Sequence, residues 1–361
     1  MDMKNNTKLK KLFAVTLIFA LTISVTACGA AKPSKEEAAP DTRIFVDSAG
    51  REVEIPAEID AIAPSGPLAQ LVLYTACPDR LAGISVAFSD QAKALIDEKY
   101  WGMTQFGQFY GKNASLNMEA LIAAAPDVVV DIGEAKDSVV QDMDGLQEQL
   151  NMPVVFIEAT LDSMDEAYEK IGELIGDTGE TDQLAQYCKE VSEKAAKVSA
   201  SLAEEDRLSV YEALGDAGLN TNARGSFHAE VIETVGGINV ADLEVVASGA
   251  GSEVSMEQVI GWNPDVIIAE SEEVYQMILS DKAWSVLDAV KNGRVYKIPT
   301  SPYSAMASPP SVNRIFGTLW LGDILYPDQY GVDISTEMQK FYKLFYHVDI
   351  DKAKAAELLG K

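Results

Sequence analysis

The sequence predicts an α/β protein of two Rossmann-like lobes, each with a mostly parallel sheet, joined by a single long α-helix. Three observations predict it. Short apolar runs alternate with amphipathic helical stretches along most of the 361 residues, the pattern of strands buried on both faces and the helices that cover them. One helix-then-strand phrase is written twice, as "NMEALIAAAPDVVV" from Asn117 and as "SMEQVIGWNPDVII" from Ser255, 138 positions apart. Between the copies, from about Glu180 to Ala203, Leu184, Cys188, Val191, Ala195, Val198 and Leu202 form one apolar stripe at helical spacing. Such a helix spans roughly 36 Å, enough to pass from one lobe to the next.

"RIFVDSAGREVEIP", Arg43 to Pro56, alternates apolar and polar residues around Asp47-Ser48-Ala49-Gly50 and reads as a β-hairpin. "AIAPSGP" and "LAGISVAF" read as short buried strands, with a helix between them from about Leu68 to Ala76. In the first copy of the repeat, Met118, Leu121, Ile122 and Ala125 define an apolar helical face. Pro126 stops that helix, because the residue before a proline is pushed out of the α region, and a strand runs from Val128 to near Gly133. "MPVVFIEA" is a further strand and "DSMDEAYEKIGELIG" a further helix. After the linking helix the alternation restarts with "RLSVYEAL", a helix near Ala229 to Val235, "GGINVA", the second copy, "VYKIP" and terminal helices. The expected divisions are a leader at 1–27, a tether at 28–41, an N-terminal lobe at 42–178, the linking helix at 179–205, and a C-terminal lobe with the terminal helices at 206–361.

The first residues carry a separate message. Lys4, Lys8, Lys10 and Lys11 precede an uncharged, mostly apolar run from Leu12 to Val25. That run falls short of the roughly 20 apolar residues a bilayer span needs and has the layout of a secretory signal. "VTAC", Val25 to Cys28, looks like a lipobox, in which Cys28 becomes the lipid-bearing first residue. The polar, Pro-containing "AAKPSKEEAAPD" after it suits a tether. The net charge is −27, and removal of residues 1–27 takes away four lysines and Asp2 to leave −30. A surface this acidic repels nucleic acid. Cys77 and Cys188 fall on segments that read as buried helix faces and are expected as packed thiols rather than a bridge.

Two α/β lobes, one long linking helix and a lipobox-like leader together resemble the substrate-binding proteins of bacterial ABC importers, in the rigid subclass that serves ferric siderophores, haem and cobalamin. The phrases "DSAGREVEIP", "NMEALIAAAPDVVV", "RGSFHAEVIETVGGINVA", "SMEQVIGWNPDVIIAES" and "WSVLDAVKNGRVYKIP" carry the resemblance in family order along nearly all of the chain beyond Cys28. The resemblance implies a monomeric, lipid-anchored receptor on the extracytoplasmic face of the cell membrane. It would need no cofactor or catalysis, and would hand a small-molecule metal complex to a permease and its ATPase. It also implies a purpose for the repeated glutamate: Glu119 and Glu257, one on each lobe, would pair with arginines on the permease.

Ligands of parallel sheets bind beyond the carboxyl ends of the strands, which makes Ser65, Gly66, Phe88, Glu134, Arg224, His228, Ser271 and Tyr303 pocket candidates. "YWGMTQFGQFYG" adds Trp101, Phe109 and Tyr110 from a stretch with five aromatics and three glycines in twelve residues, suited to flat or greasy ligands. Arg224 offers a partner for carboxylates or a catecholate-type anion, and His228 an axial ligand if the cargo is haem. With only His228 and His347 in the chain, the histidine cluster of a bare zinc or manganese receptor cannot be assembled. Haem and cobalamin remain alternatives to a siderophore. An enzyme using Ser226 and His228 is the reading from another class. Against it, the chain has no nucleophile elbow and no Gly-rich phosphate loop.

Overall fold

The repeated phrase becomes the same physical object in each half of the molecule. A computed structural model describes residues 41–110, 114–246, 251–306 and 309–360, so the leader and Cys28 lie outside the described residues. The first copy opens with a helix at Met118–Ala124, capped by Asn117, whose side-chain oxygen accepts from the Ala120 N–H at 3.1 Å. The second opens at Met256–Trp262 with a capping box, in which the Ser255 hydroxyl accepts from Gln258 and the Gln258 side chain accepts from the Ser255 N–H. Ala125 and Asn263 end the two helices in the left-handed region, at φ 46° and 40°, each just before a proline.

In the N-terminal half, β1 (Thr42–Val46) and β2 (Glu52–Pro56) form the expected antiparallel hairpin. Its turn is tied by Asp47, whose carboxylate accepts from the Ala49 and Arg51 N–H groups and from the Arg51 guanidinium. Then β3 (Ile62–Pro64), β4 (Val128–Gly133) and β5 (Val154–Glu158) make a parallel sheet in that order. In the other half come β6 (Ser209–Ala213), β7 (Asn220–Thr221), β8 (Ile238–Asn239), β9 (Ser252–Glu253), β10 (Val266–Ala269) and β11 (Val295–Lys297). Here β11, β10, β6 and β8 lie side by side, all parallel, while β7 and β9 pair antiparallel. The linking helix runs Thr181–Ser201 and buries Leu184, Cys188, Val191, Ala195 and Val198, the expected stripe. Both Cys77 and Cys188 are buried free thiols.

Three expectations are corrected. "LAGISVAF" forms no strand; Leu81 and Ile84 make only isolated bridges, to Ile62 and Gln105. Of the apolar face in the first copy, only Leu121 is buried and Ile122 is 62% exposed. The helix is two turns long, and its packed edge runs through Met118, Leu121 and Ala124, with Ile122 about 100° further round. The terminal helix Ile334–Tyr346 reaches beyond the C-terminal lobe, although Phe341 still meets Phe316 at 5.7 Å and the Tyr346 hydroxyl donates to Asn313. Its Phe345 meets Tyr168 and Tyr187 at ring-centroid distances of 5.8 and 5.5 Å, and Tyr346 meets Tyr74 at 6.3 Å. It therefore packs on the N-terminal lobe and the linking helix as well as on the helix Asn313–Leu325.

Candidate functional site

A cleft of about 940 Å³ opens between the lobes beyond β4. One wall comes from the N-terminal lobe, with Tyr110, Asp131, Gly133, Glu134, Lys136 and Asp142; the other comes from Gly225 to His228, Val245, Val246 and Pro310. Its place at the carboxyl end of a parallel strand is where the sheet geometry puts a ligand. Two other depressions, of about 660 and 640 Å³, flank the linking helix near His347. They share no residue with the loops beyond β4, and their linings include exposed charged side chains such as Asp79, Lys99, Glu190 and Lys340.

Asp131 is the anchor of the first wall. It is the one charged residue in β4 and is buried at 5% exposure. Ser65 donates its hydroxyl to Oδ1, and the Tyr110 phenol donates to Oδ2 at 2.6 Å. Burial raises the Asp131 carboxyl above the usual carboxylate range, while the Ser65 and Tyr110 hydrogen bonds work to lower it. The same burial, with Asp131 close by, raises the Tyr110 phenol. The Tyr110 ring stays 42% exposed, so its hydroxyl is fixed while its face is presented to the cleft.

On the second wall, Phe227 and His228 stand with ring centroids 5.9 Å apart. Behind them Arg314 is wholly buried in the first turn of the helix Asn313–Leu325. Its Nη1 donates to the Phe227 carbonyl at 2.7 Å and to Glu230 Oε2 at 2.6 Å, and its guanidinium carbon lies 4.4 Å from the Phe227 ring centroid. Burial lowers the Arg314 pKa, and the Glu230 charge opposes it.

Of the residues singled out from sequence, Tyr110, Glu134 and His228 line the cleft, and Ser65 acts through Asp131. The others stand elsewhere. Arg224 spends Nε and Nη2 on the Asn239 carbonyl of β8, at 2.9 and 2.7 Å, and does not line the cleft. Phe88 and Phe109 are core residues at 2% and 5% exposure. Gly66 and Ser271 cap helices, and the Trp101 indole donates to the Ile96 carbonyl. Tyr303 packs against the main core. Asp131, Lys136 and Arg314 were missed. For Asp131 and Arg314 the sequence signal was a charge inside an apolar segment, "VVVDIG" and "NRIFGTLWLGDIL", since a buried charge must be paired or given a task; Lys136, in a polar exposed stretch, had none.

Glu119 and Glu257 hold the same position in their two helices, the second residue after the cap. Both are exposed, and among the described residues neither joins an ion pair. Each is followed three residues later by an exposed isoleucine, Ile122 or Ile260, at 62% and 42% exposure.

Paired parallel-sheet lobes around such a cleft define a solute receptor. The chain belongs to the periplasmic binding protein family, whose pattern it matches over residues 108–302, across both lobes. It is thus a substrate-binding component of an ABC importer, working outside the cytoplasm. The molybdate-binding protein MolA of Haemophilus influenzae is 25% identical over 97% of this chain and 99% of its own length. The Fe(3+)-citrate-binding protein YfmC of Bacillus subtilis is 21% identical over 58% of this chain and 65% of its own. Among solved structures, an ABC transporter solute-binding protein from Sulfurospirillum deleyianum is similar with a TM-score of 0.82 and 26% identity, over 88% of this chain and 99% of that one. These relatives are binding proteins, not enzymes.

Proposed function

We propose that the protein is a lipid-anchored receptor, tethered through Cys28, that captures a ferric siderophore or a related large metal complex in the cleft and delivers it to its permease. The observation that supports this most is the size and lining of the cleft. About 940 Å³ lies at the upper end of small-molecule sites, which run roughly 300 to 1,000 Å³. Its walls offer aromatic faces from Tyr110 and Phe227, hydrogen-bonding groups and both signs of charge. A chelate that brings its own metal ligands needs no more than this. Among the described residues no group of three or more His, Cys, Asp or Glu is placed to hold a bare metal ion.

The second reading is a metal oxyanion such as molybdate, favoured by the likeness to the molybdate-binding protein along nearly the whole chain. Titration of the purified body, residues 40–361, with ferric citrate, a ferric catecholate chelate and molybdate separates the two by intrinsic fluorescence. Saturable binding of the chelates alone supports the first reading, and of molybdate alone the second. A Soret or corrin spectrum in the purified protein would replace both with haem or cobalamin.

Glu119 and Glu257 supply the docking points, each with its neighbouring isoleucine as an apolar contact beside the charge. Reversal of both, Glu119→Lys with Glu257→Lys, is expected to leave ligand affinity within about twofold, since neither residue lines the cleft, and to abolish uptake in cells. Uptake at the wild-type rate would remove the docking assignment.

A further inference from the structure

Arg314 poses a problem that its known partners do not solve. A guanidinium carries five N–H donors, and here only Nη1 is engaged, with Phe227 and Glu230. Nε and Nη2 are buried and have no hydrogen-bond partner among the described residues. The Phe227 ring at 4.4 Å offers a π-face but no lone pair. Nε and Nη2 together form the edge of the guanidinium that donates two parallel hydrogen bonds to one carboxylate or oxyanion. A second unpartnered donor lies in the same wall: Ser226 Oγ is buried without a partner, on a residue that lines the cleft. Arg314 also occupies the first turn of a helix of 13 residues, whose amino end favours negative charge.

Resting on the reading of the cleft as the ligand site, we infer that Arg314 Nε and Nη2, with Ser226 Oγ, form a seat for an oxygen anion of the cargo, uncovered when the Phe227 side chain swings aside. The chemistry required is a planar or tetrahedral oxyanion edge. A carboxylate on a ferric chelate and a face of a tetrahedral metal oxyanion both present it. Phe227 is suited to be the cover, because it lines the cleft and rests on the guanidinium. The Nη1 contacts to the Phe227 carbonyl and Glu230 hold the arginine in place, so the free edge is set before the ligand arrives.

The test measures affinities of wild type, Arg314→Lys and Ser226→Ala for ferric citrate, molybdate and, as a cargo without an oxyanion edge, dicyanocobinamide, the corrinoid that lacks the phosphodiester of cobalamin. Thermal unfolding is followed alongside. Lysine keeps the charge but loses the fork, so Arg314→Lys is expected to weaken whichever anionic cargo binds by about 100-fold. Ser226→Ala removes a hydroxyl that has no partner within the fold, so its melting temperature should stay at the wild-type value while affinity falls about fivefold. The ferric citrate and molybdate arms distinguish carboxylate from metal oxyanion. If wild type binds either anion and both variants bind it equally well, the seat is overturned while the receptor reading stands. Binding of dicyanocobinamide alone overturns the seat and moves the cargo to corrinoids. Binding of none of the three overturns the seat, and the receptor reading then rests on the ferric catecholate titration.

Discussion

Glu212 lies in β6 at 1% exposure, with Oε2 accepting from the Asn222 amide at 3.0 Å and Oε1 without a partner among the described residues. Burial pushes its carboxyl up to about 7, against the opposing Asn222 hydrogen bond. The folded state therefore holds this proton more tightly than the unfolded chain does. Its contribution to stability is fully present below about 4.5, the ordinary value, and is lost as pH rises through about 7. Unfolding by urea at pH 5 and pH 8.5 should show wild type losing on the order of 3 kcal/mol across that window through this group. Glu212→Gln, neutral at both, should lose less by that amount; equal losses would contradict a titrating Glu212. Residues such as this one mark where sequence reading ran short. Arg224 drew attention as a loop residue able to pair with an anion, yet Nε and Nη2 are given to the Asn239 carbonyl of the neighbouring strand. Tyr110 was legible as an exposed aromatic in a Gly-rich stretch, whereas its bond to Asp131 links positions 21 apart and has no local signature.

At the scale of elements, the paired helix-then-strand units were the most legible part of the fold, because every signal within them is local. A cap, a short apolar stripe, a proline stop and a β-branched run all agree on one answer. The caps are separable contributors. Asn117→Ala and Ser255→Ala should each cost about 1 kcal/mol, typical of a lost N-cap, read as a shift in the urea midpoint with an unchanged slope. The second should exceed the first, since Ser255 belongs to a capping box with reciprocal bonds and Asn117 contributes one. "LAGISVAF" was misread for the opposite reason. Its apolar run is genuine, but Ile84 serves the core through one bridge beside Gln105 rather than through a ladder. Burial without pairing looks the same in sequence as burial within a strand.

For the whole molecule, the decisive feature is that one continuous core crosses the lobes. Val130 and Ile157 of the first sheet, Leu184, Val191 and Val198 of the linking helix, Val210 and Ile268 of the second sheet, and Phe341 and Phe345 near the end all belong to it. Two lobes hinged on a flexible strand pair would close around a ligand; lobes sharing a core resist it, because packed interiors do not deform smoothly. X-ray scattering of the body should give a radius of gyration, about 20 Å for a chain this size, that changes by less than about 0.5 Å when cargo binds. A contraction several times larger would argue for a hinge.

The return of the terminal helix to the first lobe has a temporal meaning. A ribosome makes Tyr74 and Tyr168 long before Phe345 and Tyr346, the rings that cover them. Until the final stretch of the chain is available, the early half lacks part of its wall. Completion of the fold is thereby postponed to the end of synthesis, which suits a polypeptide that must stay threadable until it has left the compartment where it was made.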